Sequence, residues 1–182
     1  TDQLCLTNPK TLEIAKATVR EWLAANPDAV FVSVTQNDND NYCVCDECAR
    51  IDAEEGSHSG TMIRFVNAIA DDIREDYPDV LVDTFAYMDG YTRQAPAITV
   101  PRENVVIRLC SIECKFSAPM DSGCKSCRRG VMRRRKSSIG WGQAAPRRCC
   151  RFAAYGRISL QPHLLSHGDE IGVADAGIKG QQ

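Results

Sequence analysis

The stretch Val30-Phe-Val-Ser-Val-Thr-Gln-Asn-Asp-Asn-Asp-Asn-Tyr-Cys-Val-Cys-Asp-Glu-Cys48 joins three different signals in one segment. Its beginning belongs to a short apolar and β-branched run, Ala29 to Thr35, which predicts a strand that is covered on both faces. A loop of Asn and Asp residues follows, and the segment ends in three closely spaced cysteines. A buried strand that ends abruptly in a polar loop is where α/β enzymes carry their functional groups.

Helix signals lie on both sides of this predicted strand. Asn8 is a good N-cap and Pro9 suits the first helical turn, where its missing N–H costs nothing, and the pattern ends at Asn26. After the cysteine-containing loop, Ser57 or Ser59 can cap a second helix. The apolar stripe of that helix consists of Met62, Phe65, Val66, Ile69 and Ile73.

Two later apolar runs predict further strands, at Val80 to Ala86 and at Val105 to Ser111. The order helix, strand, helix, strand, strand predicts an α/β fold with a parallel sheet and right-handed crossovers. With 182 residues, the chain is too short for a complete eight-fold (β/α) barrel, which typically needs about 250 residues.

The charges divide the chain into three parts. Residues 1–121 hold 10 Lys/Arg and 21 Asp/Glu, whereas residues 122–168 hold 11 Lys/Arg and no acidic residue. The helix and strand pattern also stops at about Ser122, and the following tract has too few ordered apolar positions to form a core. We therefore predict a folded domain over residues 1–121, a disordered or out-of-frame basic Cys/Arg-rich tract over 122–168, and a return to ordinary sequence over 169–182.

Two classes of segment are missing from the sequence pattern. No apolar run approaches the roughly 20 residues of a membrane-spanning helix, so we expect no membrane span. No export signal is visible after Thr1.

The ten cysteines do not by themselves decide between disulfides, a metal site and reduced thiols.

Five segments of the first 120 residues carry a resemblance to a known family. They are Cys5-Leu-Thr-Asn-Pro9, Val32-Ser-Val-Thr-Gln-Asn-Asp-Asn39, Tyr42-Cys-Val-Cys-Asp-Glu-Cys48, Ser59-Gly-Thr-Met-Ile-Arg-Phe-Val-Asn67 and Arg108-Leu-Cys-Ser-Ile-Glu-Cys114. In this order they resemble the bacterial domain-of-unknown-function family 4838. The resemblance implies a TIM-barrel relative of glycoside hydrolases, present here as a partial (β/α) barrel that acts on polysaccharide or glycan. It also implies an extracellular or periplasmic location and a longer parent chain with other domains.

The resemblance lapses beyond Cys114 and returns from Ala174 to Gly180. Our hypothesis is that about residues 122–165 are translated out of frame from a GC-rich gene. Such an error would produce a sequence rich in Arg, Ala, Gly and Cys and free of acids. Translating the coding DNA in all frames would test this hypothesis.

Glycoside cleavage generally needs two carboxyl groups, and in barrels they lie just past the C-terminal ends of strands. Asp38 follows the first predicted strand and Glu113 follows the third. Glu113 has apolar and cysteine neighbours, so we predict it as the general acid, because partial burial raises a carboxyl pKa. Asp38 is the predicted second carboxylate. The alternatives are an Asx-turn for Asp38 and an ion pair with Arg108 for Glu113.

Five polar or aromatic residues near the strand ends are predicted to bind substrate. They are Gln36, Asn37, Asn39, Tyr42 and Tyr87. The amides can bond to sugar hydroxyls or simply tie up the loop backbone, and the tyrosines can stack on sugar rings. Trp22 lies on an apolar helical stripe and is predicted to belong to the core.

Cys43, Cys45 and Cys48 are spaced closely enough to bind zinc, although a closed structural site needs a fourth ligand. The sequence leaves that ligand open between Cys5, Cys110 and Cys114. The alternative is a disulfide with spare thiols, or reduced buried cysteines. No cofactor is required for the predicted chemistry, so a structural zinc would serve to fix the loop beside Asp38.

Two other functions fit parts of the pattern. A non-catalytic glycan-binding barrel would keep the aromatic and amide groups without acid–base chemistry. A zinc-organised nucleic-acid-binding module would use the Arg-rich tract. We do not expect nucleic-acid binding, because a run of arginines without an aromatic sheet surface or a recognisable module gives it little support.

Overall fold

The computed structural model describes residues 3–110, which form a parallel three-stranded sheet with helices packed on one face. The elements are α1 (Pro9–Ala25), β1 (Phe31–Ser33), α2 (Asp46–Glu55), α3 (Ser59–Ile73), β2 (Leu81–Ala86), a π-helical turn (Met88–Thr92) and β3 (Val105–Leu109). The predicted α/β fold with parallel strands is confirmed, and it is consistent with part of a (β/α) barrel. Glu113, Cys114 and the predicted segments 122–168 and 169–182 lie outside the described residues.

The strands lie in the order β1-β2-β3, and both neighbouring pairs are parallel. Val32, Val82 and Val105 form one row across the sheet and are fully buried against the helical layer. The stripe of α3 covers this row, and Val66 and Ile69 are inaccessible to solvent. Neighbouring residues of a strand point to opposite faces, so the adjacent row faces away from the helices.

Helix α1 begins and ends where the sequence predicts. The Asn8 side chain accepts a hydrogen bond from the backbone N–H of Lys10 at 2.9 Å, and Pro9 is the first helical residue. The helix gives way to Asn26. Trp22 is partly buried against the core, in agreement with its predicted place on the apolar face.

The second predicted helix differs from the structure in its start. A separate helix, α2, occupies Asp46–Glu55 within the segment predicted as loop. Few apolar residues mark it, but two acids in its first turn and Gly56 at its end, with φ 66°, are helix signals that the sequence contains. The predicted caps Ser57 and Ser59 are wrong, because His58 is the residue before α3. Ser59 instead donates its hydroxyl proton to the Gln94 carbonyl at 2.5 Å.

The strands are shorter than predicted at several ends, although their hydrogen bonds continue past them. The N–H of Val34 donates to the Asp83 carbonyl at 2.8 Å, and the N–H of Cys110 donates to the Ala86 carbonyl at 3.1 Å. The backbone thus stays in register up to the point where the polar loops leave the sheet. None of the helices within residues 3–110 is long and apolar enough to cross a membrane.

Candidate functional site

The residues that follow β1 and β2 come together at the C-terminal edge of the sheet. The Tyr87 hydroxyl, directly after β2, donates a hydrogen bond to Oδ1 of Asp38 at 2.6 Å. Two parallel neighbouring strands bring these residues together because their C-terminal ends lie at the same edge. Asp38 and Tyr87, both predicted from the sequence, therefore form one polar pair at this edge.

Gln36 connects the same two loops. Its side-chain amide donates to the Tyr87 carbonyl at 3.5 Å, and its carbonyl oxygen accepts a hydrogen bond from the Thr92 hydroxyl. Thr92 lies in the π-helical turn, and its hydroxyl oxygen is 3.2 Å from the Phe85 carbonyl oxygen. The side chain of Gln36 therefore holds the loop after β1 against the turn after β2.

The loop that carries Asp38 is held from its other side by Gln3. The side-chain amide of Gln3 donates to the carbonyls of Asn37 at 3.0 Å and of Asn39 at 2.7 Å, and its oxygen accepts from the Asn37 N–H at 3.1 Å. Asn39 also accepts from the Asn41 N–H at 3.0 Å, which makes it the Asx-type residue of the loop. Backbone atoms on both sides of Asp38 are thus fixed by one buried glutamine.

Tyr42 lies further along the same loop and packs on His58. The two rings are stacked with centroids 3.6 Å apart, and the ring of Tyr91 lies 5.6 Å from that of Tyr42. Nδ1 of His58 bonds to Asp52 at 2.6 Å, and the second oxygen of Asp52 accepts from the Thr61 hydroxyl at 2.6 Å. Tyr42 is therefore seated on an imidazole whose orientation is fixed by α2 and α3.

The sheet face that points away from the helices carries an ion pair that sequence reasoning missed. Oδ2 of Asp83 accepts from the Ser33 hydroxyl at 3.0 Å and from the Arg108 guanidinium at 2.7 Å. The guanidinium also lies 5.6 Å from the centre of the Phe85 ring. The alternative pairing of Arg108 with Glu113 lies outside the described residues, and within them Arg108 pairs with Asp83. A single acid in an otherwise apolar strand was the available signal.

Asp83 is fully buried, and its Oδ1 has no hydrogen-bond partner among residues 3–110. Burial raises the pKa of the Asp83 carboxyl, and the nearby Arg108 and Ser33 oppose that shift without cancelling it. Asp83, Phe85 and Tyr87 alternate along one extended segment, since Tyr87 also has extended backbone angles. This polar face therefore leads directly to the Asp38–Tyr87 pair.

The three predicted cysteine ligands are joined by a fourth. The sulfurs of Cys5, Cys43, Cys45 and Cys48 all lie within 4.8 Å of one another. Cys5 is thus the member that the sequence left open, while Cys110 is outside the cluster and Cys114 is outside the described residues. None of the five cysteines in the described part of the chain forms a disulfide.

Local structure explains how these thiols meet. Cys45 is the residue before α2 and Cys48 lies in its first turn, facing inward. Cys5 lies in a turn that precedes α1, where the Asn8 N–H donates to the Cys5 carbonyl at 3.2 Å. Thr7 lies between the two segments, and its hydroxyl oxygen is 3.2 Å from the sulfur of Cys48 and 3.3 Å from that of Cys5.

The sulfur spacing fits a tetrahedral ion. Four thiolates at about 2.3 Å from a zinc ion would have their sulfurs about 3.8 Å apart. The sulfur of Cys5 is 3.7 Å from that of Cys45 and 3.9 Å from that of Cys48. Soft thiolate ligands in this arrangement select zinc or an iron–sulfur centre over calcium or magnesium.

The thiols differ in acidity. The pKa of Cys45 is lowered to about 6, first because the backbone N–H of Cys48 stabilises its thiolate, and next because of the Thr7 hydroxyl. Burial raises the pKa of Cys48 to about 12 and also raises that of Cys43. Without a metal, the cluster would thus hold one readily deprotonated thiol, that of Cys45, beside the more weakly acidic thiols of Cys43 and Cys48.

The comparisons with known proteins give one match. A family model described as a domain of unknown function, DUF4838, matches residues 1–147. No curated protein and no solved structure matches the chain.

Proposed function

This chain belongs to the DUF4838 family, and on that premise we propose that it is part of a carbohydrate-active, glycoside-hydrolase-like protein that acts on polysaccharide or glycan. The observation that carries the proposal is the hydrogen bond between Tyr87 and Asp38 at the C-terminal edge of a parallel sheet. In (β/α) enzymes this edge holds the catalytic groups.

Asp38 serves as the nucleophile or base of the proposed reaction. The Tyr87 hydroxyl donates to only one of its oxygens in this contact and orients the carboxylate from the side of β2. Glu113 follows β3 in the sequence and is the proposed general acid. Because β3 is parallel to β2, the chain leaves β3 at the same edge. Carboxyl groups about 5–5.5 Å apart would imply retention of configuration, and about 6.5–9.5 Å would imply inversion.

The substrate lies across the polar loops in this proposal. Asn37 and Asn39 supply amide groups near Asp38, and Tyr42 supplies an aromatic ring for a sugar face, while the Gln36 side chain holds the two loops together. The fixed stack of Tyr42 on His58 supports this role, because a ring that is already oriented loses little freedom on binding.

We also propose that Cys5, Cys43, Cys45 and Cys48 bind one structural zinc ion. Four thiolate ligands leave no open position for water or substrate, so the metal would contribute stability and take no part in the reaction. It would join the segment before α1 to the loop that carries Asp38. Gln3, two residues before Cys5, reinforces the same connection.

The test replaces Glu113→Gln and Asp38→Asn, separately, in the intact parent protein, assayed against a panel of polysaccharides. We expect loss of turnover with retained binding for both variants. Asp28→Asn is the matched control, because Asp28 is exposed and precedes β1, at the other edge of the sheet. If the unmodified protein shows no turnover and both variants bind glycan as well as it does, the result would instead support a non-catalytic glycan-binding barrel. Binding to nucleic acid that weakens steeply with salt would support the third function.

A further inference from the structure

The four cluster thiols differ in their access to solvent and in whether their backbone belongs to a helix. Cys45 is exposed, Cys5 and Cys43 are half-buried, and Cys48 is buried. Cys5, Cys43 and Cys45 lie outside helices, whereas Cys48 is held within α2. An oxidant arriving from solvent therefore meets Cys45 first, and the thiol best placed to respond is one whose backbone is not part of a helix.

Cys5 and Cys43 satisfy that condition, but Cys43 is only two residues from Cys45, and a disulfide between them would close a small ring that departs from normal disulfide geometry. The sulfur of Cys5 lies 3.7 Å from that of Cys45, slightly nearer than the 3.9 Å to Cys48. A disulfide has an S–S length of about 2.05 Å, so the two sulfurs need to approach by less than about 2 Å. The turn before α1 and the loop before α2 can supply this movement without breaking a helix.

We propose that Cys5 and Cys45 form a disulfide when the cluster meets a two-electron oxidant of the peroxide class, and that this bond ejects the metal. The inference rests on the proposed zinc site and describes its regulation. It adds a covalent modification that links the segment before α1 to the loop before α2.

The chemistry balances in two steps. The Cys45 thiolate attacks hydrogen peroxide, which gives a sulfenic acid on Cys45 and releases hydroxide. The Cys5 thiolate then attacks that sulfur, forms the S–S bond and displaces a second hydroxide. Two electrons pass from the two sulfurs to the O–O bond. Cys43 and Cys48 remain as thiolates, and two ligands are too few to retain zinc.

The switch would act on the loop that holds Asp38. Gln3 precedes Cys5 by two residues and fixes the backbone on both sides of Asp38. Movement of Cys5 toward Cys45 as the metal leaves would therefore disturb the Gln3 hydrogen bonds that hold this loop.

The test treats the zinc-loaded full chain with one equivalent of hydrogen peroxide and follows zinc with a chromogenic chelator. The remaining thiols are alkylated and the chain is digested with trypsin. Cys5 then lies in the peptide of residues 1–10, whereas Cys43, Cys45 and Cys48 share the peptide of residues 21–50. Fragment ions locate the bonded cysteine. We expect these two peptides to be linked through Cys45, with one zinc released for each bond.

Two variants sharpen the result. Cys110→Ser, which removes a cysteine outside the cluster, should give the same link and the same release. Cys45→Ser should remove the link. A bond within the peptide of residues 21–50, a link through Cys48, or a Cys5 that stays reduced while zinc is lost would overturn the inference.

The two proposals fail differently. A purified chain that takes up no zinc would refute the metal site, and peptide mapping of that chain after peroxide would still decide whether Cys5 pairs with Cys45. A chain that holds zinc and keeps it, with all four thiols reduced after peroxide, would refute only the switch. Recovery of zinc binding after dithiothreitol is expected if the disulfide is the cause of release.

Discussion

The carboxylate of Asp83 and the guanidinium of Arg108 meet at 2.7 Å on the sheet face that points away from α1 and α3. All-parallel sheets are usually apolar on both faces, so an ion pair in the middle of one is uncommon. The second carboxylate oxygen of Asp83, Oδ1, has no hydrogen-bond partner among residues 3–110. Burying an incompletely bonded carboxyl costs stability, which makes this pair a sensitive point of the fold.

The first prediction concerns the pH dependence that Asp83 produces. Burial raises the pKa of Asp83 in the folded chain. The native state therefore holds this proton more tightly than the unfolded state, whose carboxyl has a pKa of about 3.9. Stability should fall as pH rises from that value through the native pKa. Asp83→Asn should remove this part of the decline in urea midpoints. Asp79→Asn, at an exposed turn, should leave the decline unchanged. Curves of urea midpoint against pH that run parallel for Asp83→Asn and the unmodified chain would contradict the assignment to Asp83.

The second prediction concerns Gly60 at the contact between α2 and α3. A Cβ on Gly60 would lie 2.1 Å from Cγ of Glu55, a buried carboxylate that accepts hydrogen bonds from Arg64 and from the backbone of Ile98. Gly60→Ala should lower the free energy of unfolding by about 1–3 kcal/mol, because the packed helices cannot yield without disturbing these bonds. Denaturant unfolding measures it. Gly90→Ala is the control, since its Cβ would meet Asp40 at an ordinary 3.6 Å, and equal losses in both variants would count against the clash.

The third prediction concerns Thr7, whose hydroxyl lies beside three sulfurs of the cluster. Thr7→Val keeps the shape and removes the hydrogen bond to a thiolate. Zinc affinity should fall by about 10- to 100-fold, the usual effect of losing a group that supports a metal ligand. A chelator competition measures the affinity, and the charge-transfer band of the cobalt-substituted chain should shift. Thr18→Val, on α1, should change neither, and an unaltered affinity in Thr7→Val would show that the hydroxyl is only a neighbour.

The fourth prediction concerns removal of the metal. A ligand present at 100 times its dissociation constant adds about 2.7 kcal/mol to the stability of the state that binds it. Chelation should therefore lower the thermal midpoint of the zinc-loaded chain by on the order of 10 °C. Cys48→Ser should start at the lower midpoint and respond no further, whereas Cys110→Ser should behave like the unmodified chain. A midpoint that ignores the chelator in all three proteins would argue against a structural metal.

The sequence predicts the helical layer and the parallel strands because their signals are local. Asn8 and Pro9 specify the start of α1, and the apolar spacing of α3 is unbroken. The sequence pattern does not predict α2, because Asp46–Glu55 buries few apolar residues. This helix is instead stabilised by its contact with Gly60 of α3 and by the cysteine cluster. A helix that is stabilised mainly by tertiary contacts leaves a weak periodic pattern.

The candidate site divides in the same way. The loop composition predicts that Asp38 lies at the end of β1, and the cysteine spacing predicts three members of the thiol cluster, since these residues are near one another along the chain. The choice of Cys5 and the pairing of Asp83 with Arg108 depend on which strands and turns become neighbours. That information is absent from spacing alone, because each contact joins segments that are far apart in sequence.

The position of Gln3 and Cys5 has a practical consequence for handling the protein. A protease cut between Cys5 and α1 would separate from the fold both the glutamine that holds the Asp38 loop and one of the four clustered sulfurs. Any excised version of this domain should therefore keep the residues before Pro9, and preparations should be checked by intact mass for a cut at this point.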